Sequence, residues 1–324
     1  MRAVGFDVIG GPEVLRPVEV PVPSAGPGEV LIRVAYAGVN HGEVEHRLGD
    51  FGAPDGITVP GLEVSGEIAV VGPGVTGLTV GDPVAAYLPD GGGYAEYAVA
   101  RADFAFPLDG ISLRDGGGAG LTLSAAYGLL AGAGRLAAGD SVLIHAAAGG
   151  VGSAAAQIAR ALGAAVVHGT VGSPAKADYA KRFGYDAVHT RDGFAEHLSD
   201  LDLVLDPIGG PTRLASLGVL APFGRVVVYG EAARHPDLSL PVRPLWRNNR
   251  AVTGYDIADL GRRAPARLRA HALAALSLLA SGAIRLDITS ELPLAHAPLA
   301  HATLQSGANI GKTLLSVTTF RAGR

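Results

Sequence analysis

Cysteine is absent from all 324 residues. That excludes disulfides, a thiol nucleophile and every zinc site that depends on thiolate ligands. Charge is scarce too: only 17% of residues are Asp, Glu, Lys or Arg, and 26 basic residues stand against 30 acidic ones. With no cationic excess to hold a phosphate backbone or an anionic bilayer, nucleic acid is not an expected partner. Long apolar runs are also lacking. The opening "MRAVGFDVIGGPEV" has no signal-peptide core, and no run of about 18 apolar residues goes uninterrupted. The expectation is a soluble, cytoplasmic protein with no membrane partner.

Glycine, by contrast, is abundant at 47 residues, and its placement organises the chain. Up to about residue 110, short strand-like segments such as "EVLIRVAYAGV", "VSGEIAVVGPGV" and "GGYAEYAVA" alternate with glycine turns, as in a small β-barrel. From Gly116 the pattern changes. "SVLIHAAAGGVGSAAAQIARALGAAVVHGTV" reads as buried strand, glycine turn, helix and strand, the start of a βαβ unit with a parallel sheet. "DLDLVLDPIGG" and "PFGRVVVYGE" continue it. Later, Leu268, Ala272, Leu276 and Leu279 recur at helical spacing, and "TLLSV" is strand-like. A chain of this length suits two medium domains.

The sharpest motif is "HAAAGGVG", His145 to Gly152, between a strand and a helix. A phosphate needs a turn without obstructing side chains and amide hydrogens aimed out of a helix N-terminus. Ala148, Gly149, Gly150, Val151 and Gly152 supply that turn, with Ala147 at the first glycine position of the usual dinucleotide fingerprint. The alternative is a tight turn that only packs helix on sheet. An NAD site usually places a carboxylate about 20 residues further on. Here "VVHGTVGSPAK" has no acid before Asp178, while Ser173 and Lys176 suit a 2′-phosphate, so NADP(H) is the expected cofactor. Tyr229 and Gly230 end a strand at the sheet's carboxyl edge and are expected along the dinucleotide.

"AGVN" at Ala37–Asn40, "PGLEVSGEIAVVGPGV" at Pro60–Val75, "VGDPV" at Val80–Val84, "GGYAEY" at Gly92–Tyr97, "AAAGGVGSAAAQIARALGA" at Ala146–Ala164 and "IGK" at Ile310–Lys312 follow one another in a recognisable order. The chain resembles the zinc-free branch of the medium-chain dehydrogenase/reductase family, among quinone oxidoreductases and enoyl reductases. The resemblance implies an α/β protein: a GroES-like β-barrel catalytic domain from residues 1–121 and 256–324, and a doubly wound Rossmann domain for NADP from residues 122–255, with nicotinamide and substrate meeting in a cleft. It also implies a homodimer. Zinc-dependent relatives hold metal with a Cys in the first motif and a His in "G-H-E"; the corresponding residues here are Asn40 and Leu62, so no family-type zinc is expected.

Within "GVNHGEVEHR", Gly38 to Arg47, the residues divide. His41 with Glu45, or Glu43 with His46, could share a helical face, but two side chains seldom close a metal site. Glu43 and Arg47 read as an exposed i,i+4 ion pair. Asn40, at the family's ligand position, is expected to face the cleft and hydrogen-bond the carboxamide, the ribose or a substrate carbonyl. Glu45 replaces a Tyr of many quinone oxidoreductases; it is either a solvated residue or a proton donor whose acid form burial favours. Ser124 corresponds to a hydroxyl near the nicotinamide in relatives, and Ala308 stands where the family often has Arg. The arginine groups "RPLWRNNR" and "RRAPARLRAH" read as solvated helix faces, with an acidic substrate or carrier protein as the alternative. The reading is an NADPH-dependent, metal-free reductase of a quinone or an activated double bond. Its alternatives are a biosynthetic tailoring enzyme and an NADPH-binding protein without turnover.

Overall fold

The computed structural model describes residues 1–236, 238–240 and 242–317. Its contacts divide the chain into two units. The first holds Met1–Ser124, Pro265–Ala280 and Leu286 onward; the second holds Ala125–Ala264 and Ser281–Arg285. Residues 256–264 thus pack with the second unit, where the helix Ile257–Arg263 follows directly on the strand Ala251–Gly254. Arg285 joins the same unit through reciprocal bonds with Gln157, its amide donating to Oε1 and its carbonyl accepting from Nε2, both at 3.0 Å.

The first unit is built around the ten-residue strand Glu29–Gly38, whose apolar residues alternate inward and whose β-branched content favours the extended chain. It pairs antiparallel with Glu63–Val71, Tyr97–Arg101 and Lys312–Ser316. Register shifts near Ile32 and Tyr36 bend it. Val4, Phe6, Ile32, Val64, Ile68, Ala86 and Leu315 form its core. Three strand ends meet at one corner, because Gly38 pairs with Leu314 and Ala37 with Val64, which brings Asn40, Glu63 and Lys312 together. Glycine is required at 38: a Cβ there would lie 2.4 Å from Glu63 Oε1.

The second unit is a parallel sheet of six strands. In sequence order these are Ser141–Ile144, Val166–Val171, Ala187–Thr190, Leu201–Asp206, Leu220–Val228 and Ala251–Gly254, and their spatial order is 3-2-1-4-5-6, the doubly wound dinucleotide arrangement. The strands read as near-continuous apolar runs because helices cover both faces of such a sheet. Val142, Leu143, Ile144, Val204 and Leu205 are fully buried.

Candidate functional site

In the second unit, the strand Ser141–Ile144 runs into the glycine turn. Ala146 takes a left-handed φ of 54°, a strained choice for a residue with a Cβ. The turn is pinned by Ala147 N–H donating to Thr170 O and Gly149 N–H to Ala146 O, each at 2.9 Å. The helix Gly150–Ala161 then starts from Gly149 with no side chain capping it. At Gly152 a Cβ would stand 2.4 Å from Ala146 O and 2.9 Å from Ala147 Cα, so only glycine lets the helix approach this closely. Ala148 is buried, while Gly149, Gly150 and Val151 are half-exposed. The bare, half-open start of a twelve-residue helix fits a pyrophosphate.

At the next strand end, Gly172 and Ser173 are exposed and Lys176 is half-buried. Arg191, absent from the sequence expectations, reaches the same place: its amide donates to Val171 O at 3.0 Å, and its Nη2 lies 3.0 Å from where a Cβ of Gly172 would be. Its Nε is buried without a hydrogen-bond partner. Burial, and then the charge of Arg191, push the Lys176 ammonium below its ordinary pKa. Two cations crowd a position with no carboxylate before Asp178. Its signal was "HTRDG", one strand further on in a sheet where neighbouring parallel strands end side by side.

Tyr229 and Gly230 also sit at this carboxyl edge. Tyr229 N–H donates to Asp206 O at 3.0 Å, and Arg213 donates to Gly230 O at 3.1 Å while pairing with the buried Asp206 at 2.8 Å. Burial, with Asp206 nearby, raises the Tyr229 phenol well above its ordinary range, so it stays protonated.

The corner of the first unit holds a buried polar cluster. Asn40 precedes the helix His41–Leu48, and its backbone N–H donates to Glu43 Oε2 at 2.8 Å, one half of a capping box. Glu43 Oε1 accepts from Leu62 N–H at 2.8 Å and from Asn40 Nδ2 at 3.3 Å. Lys312 Nζ donates to Asn40 Oδ1 at 2.6 Å and Val39 O at 2.9 Å, and pairs with Glu63 Oε1 at 2.5 Å. Glu63 Oε2 accepts from the amides of Leu121 and Thr122. Burial raises Glu43 to about 7, against the lowering effect of the Leu62 bond and the Lys312 charge. Nearby, Tyr94 Oη lies 3.1 Å from His301 Nε2, both residues fully buried.

Two family models match: one described as an alcohol dehydrogenase GroES-like domain, over residues 26–110, and one described as a zinc-binding dehydrogenase, over residues 150–276. A quinone oxidoreductase of Pseudomonas aeruginosa is 31% identical over 97% of this chain and 99% of its own length. The chain belongs to the medium-chain dehydrogenase/reductase family, in its quinone oxidoreductase and enoyl reductase branch. The structure of Escherichia coli quinone oxidoreductase complexed with NADPH superposes with a TM-score of 0.88 at 29% identity, covering 98% of this chain and all of that one. A mycocerosic acid synthase-like polyketide synthase of Mycobacterium tuberculosis is 33% identical over 92% of this chain, which spans only 14% of that synthase.

In this member of the family several sequence expectations change. Glu43 and Arg47 are not an exposed ion pair. Both are buried and point to different partners, Glu43 as above and Arg47 to Gly10 O and, at 2.5 Å, to Gln305 Oε1. The cause is the capping box, which turns Glu43 back toward Asn40. His46 stacks edge-on between Phe6 and Phe51, with ring centroids 5.6 and 5.8 Å away. Among the described residues no group of three or more His, Asp or Glu is arranged to hold a metal. Glu45 is half-buried on the helix. Ser124 is buried, and its hydroxyl donates to Gly120 O at 2.6 Å. The arginine groups are not simply solvated: Arg250 donates to Leu217 O and Leu220 O, and Arg269 to Ala102 O and Ala105 O. Glu63 and Lys312 lay inside the quoted "GLE" and "IGK", but nothing local to either motif marks them as partners.

Proposed function

We propose that the protein is an NADPH-dependent, zinc-independent reductase of a quinone or an α,β-unsaturated carbonyl compound, with the second unit binding the cofactor and the first acting on substrate. The observation that carries the cofactor is the convergence of Lys176 and Arg191 beside Ser173, at the strand end next to an uncapped glycine turn. The amides of Gly149 to Gly152 meet the pyrophosphate, Ser173, Lys176 and Arg191 hold the 2′-phosphate, and Tyr229 and Gly230 border the dinucleotide. NADPH, when bound, supplies the hydride. Asn40 uses one amide hydrogen on Glu43 and keeps the other for a carbonyl oxygen, whose growing negative charge it stabilises. Zinc independence is supported by the cysteine-free sequence and by the corner itself, where Asn40 Oδ1 and Glu63 Oε1 already bind the Lys312 ammonium.

Calorimetric titration tests the cofactor assignment. Lys176→Ala and Arg191→Ala are each expected to weaken NADPH by about 1 to 3 kcal/mol while leaving NADH affinity unchanged, since each removes a charge-assisted bond to the 2′-phosphate alone. Equal affinity of the parent for NADPH and NADH would sink the assignment. The likeness to polyketide synthases favours an enoyl thioester as the activated double bond, which comparison of a quinone and an enoyl thioester as NADPH acceptors resolves.

The homodimer is part of the same proposal. The strand Ala251–Gly254 ends the parallel sheet, and Phe223 and Trp246 nearby are 80% and 65% exposed, an unusual state for large aromatic residues. Trp246 is the chain's single tryptophan. Light scattering is expected to give twice the 32.7 kDa chain mass, and Trp246 emission is expected to shift to the red on dilution as the ring is released to water. A monomer with concentration-independent emission contradicts it.

A further inference from the structure

We infer that Lys312 is a positioning residue for this site: anchored on Glu63, it locks the Asn40 side chain in one of its two flips, so that the site offers an amide N–H donor and takes a ligand that presents a hydrogen-bond acceptor, such as a carbonyl oxygen. The inference deepens the proposed function and rests on its assignment of Asn40 to the reacting carbonyl.

An asparagine amide has two flips that differ little in shape, and the surrounding hydrogen bonds decide between them. Here Oδ1 faces the Lys312 ammonium at 2.6 Å and Nδ2 faces the Glu43 carboxyl group at 3.3 Å. Flipping the amide would set NH2 against the ammonium, a contact that turns repulsive whatever the protonation of Glu43, and would lose the bond from Nδ2 to Glu43 Oε1. Thr122 Oγ1 adds a weaker contact to Oδ1 at 3.3 Å, but it lies closer to Glu63 Oε1, at 3.0 Å. Lys312 cannot swing away, because its side chain is 3% exposed and Glu63, wholly buried, holds it. A cation on Oδ1 also draws electron density from the amide and makes the remaining N–H a better donor. A ketone, enone or quinone oxygen satisfies that donor.

The test uses the full-length protein. Four asparagines and two glutamines make up its whole side-chain amide inventory, so the Asn40 NH2 pair is assigned in a nitrogen-15 spectrum by its loss in Asn40→Ala. Glu63→Gln/Lys312→Met removes both buried charges together and keeps the corner filled; Lys312→Arg keeps the cation. In the cofactor-free protein, the double variant is expected to speed rotation of the Asn40 amide, which Lys312→Arg leaves slow. With NADPH and para-benzoquinone, Asn40→Ala is expected to lower kcat about 10²-fold. The double variant is expected to lower it similarly with NADPH affinity unchanged, and to add nothing in the Asn40→Ala background. Unchanged amide rotation and kcat in the double variant, with Asn40→Ala costly, overturn the role of Lys312 and leave the reductase reading intact. A silent Asn40→Ala overturns the assignment of Asn40 and the inference with it. A wild type that oxidises NADPH with neither the quinone nor an enoyl thioester sinks both.

Discussion

Lys312→Met is expected to lower the free energy of unfolding by about 3 to 5 kcal/mol, whereas Glu63→Gln/Lys312→Met recovers most of that loss. In the single variant the Glu63 carboxylate stays behind at zero exposure, with the Leu121 and Thr122 amides as donors but no countercharge. Removing one partner of a buried pair exposes the full desolvation cost of the other, which can exceed the worth of the pair itself. The double variant leaves a neutral amide that accepts from the same two backbone groups. Urea melts of wild type, single and double variants read this as midpoint shifts at constant slope. A single variant within about 1 kcal/mol of wild type would contradict the pairing.

Acidification is the second large effect, and each unit carries its own buried histidine. In the second unit, His145 is fully buried, with Nδ1 2.7 Å from Thr170 Oγ1 and Nε2 2.8 Å from Ser216 Oγ; burial lowers it to about 4, with Arg191 assisting and Asp206 opposing. In the first, burial and then the Arg47 charge lower His301 to about 3. Both values fall below the ordinary 6.5, so the unfolded chain binds protons that the folded chain refuses. Their contribution is complete above about pH 6.5 and is lost as pH falls toward 4 for His145 and 3 for His301, on the order of 3 to 5 kcal/mol each. Glu43 has the opposite sign: raised from 4.5 to about 7, it favours the folded state most below pH 4.5 and loses that contribution up to pH 7. Two histidines outweigh one acid between pH 6.5 and 4.5, so stability falls on acidification. Melts at about pH 7.5 and about pH 5 should differ by about 1 to 2 kcal/mol, the net of two histidines against Glu43, and His301→Phe, which leaves His145 opposed by Glu43, should bring the two melts together. Equal midpoints at both pH values in wild type would refute the linkage.

The sequence was most legible where geometry is local. Gly149, Gly150 and Gly152 mark a tight turn into a helix because strand, turn and helix are contiguous there, and the missing acid before Asp178 is what supports the proposed 2′-phosphate contacts. Arg191 was not legible: it reaches Gly172 only because two parallel strands end together. Glu43 was misread as half of a surface pair although Asn40 and Glu43 have capping-box spacing, since the spacing does not reveal that Leu62 will close over the carboxylate. The Asn40–Lys312 contact joins residues 272 positions apart, a distance that no periodicity bridges.

That separation has a consequence for how the protein is made. Asn40, Glu43 and Glu63 are synthesised before the whole of Ala125–Arg285, and Lys312 after it. On the ribosome the dinucleotide unit can therefore complete its six-stranded sheet while the earlier segment still holds Glu63 without its cation. The corner around Asn40 closes only when the later strand Lys312–Ser316 docks beside Gly38, so the unit that carries Asn40 is the last to mature, although its first residues emerge before those of the parallel sheet.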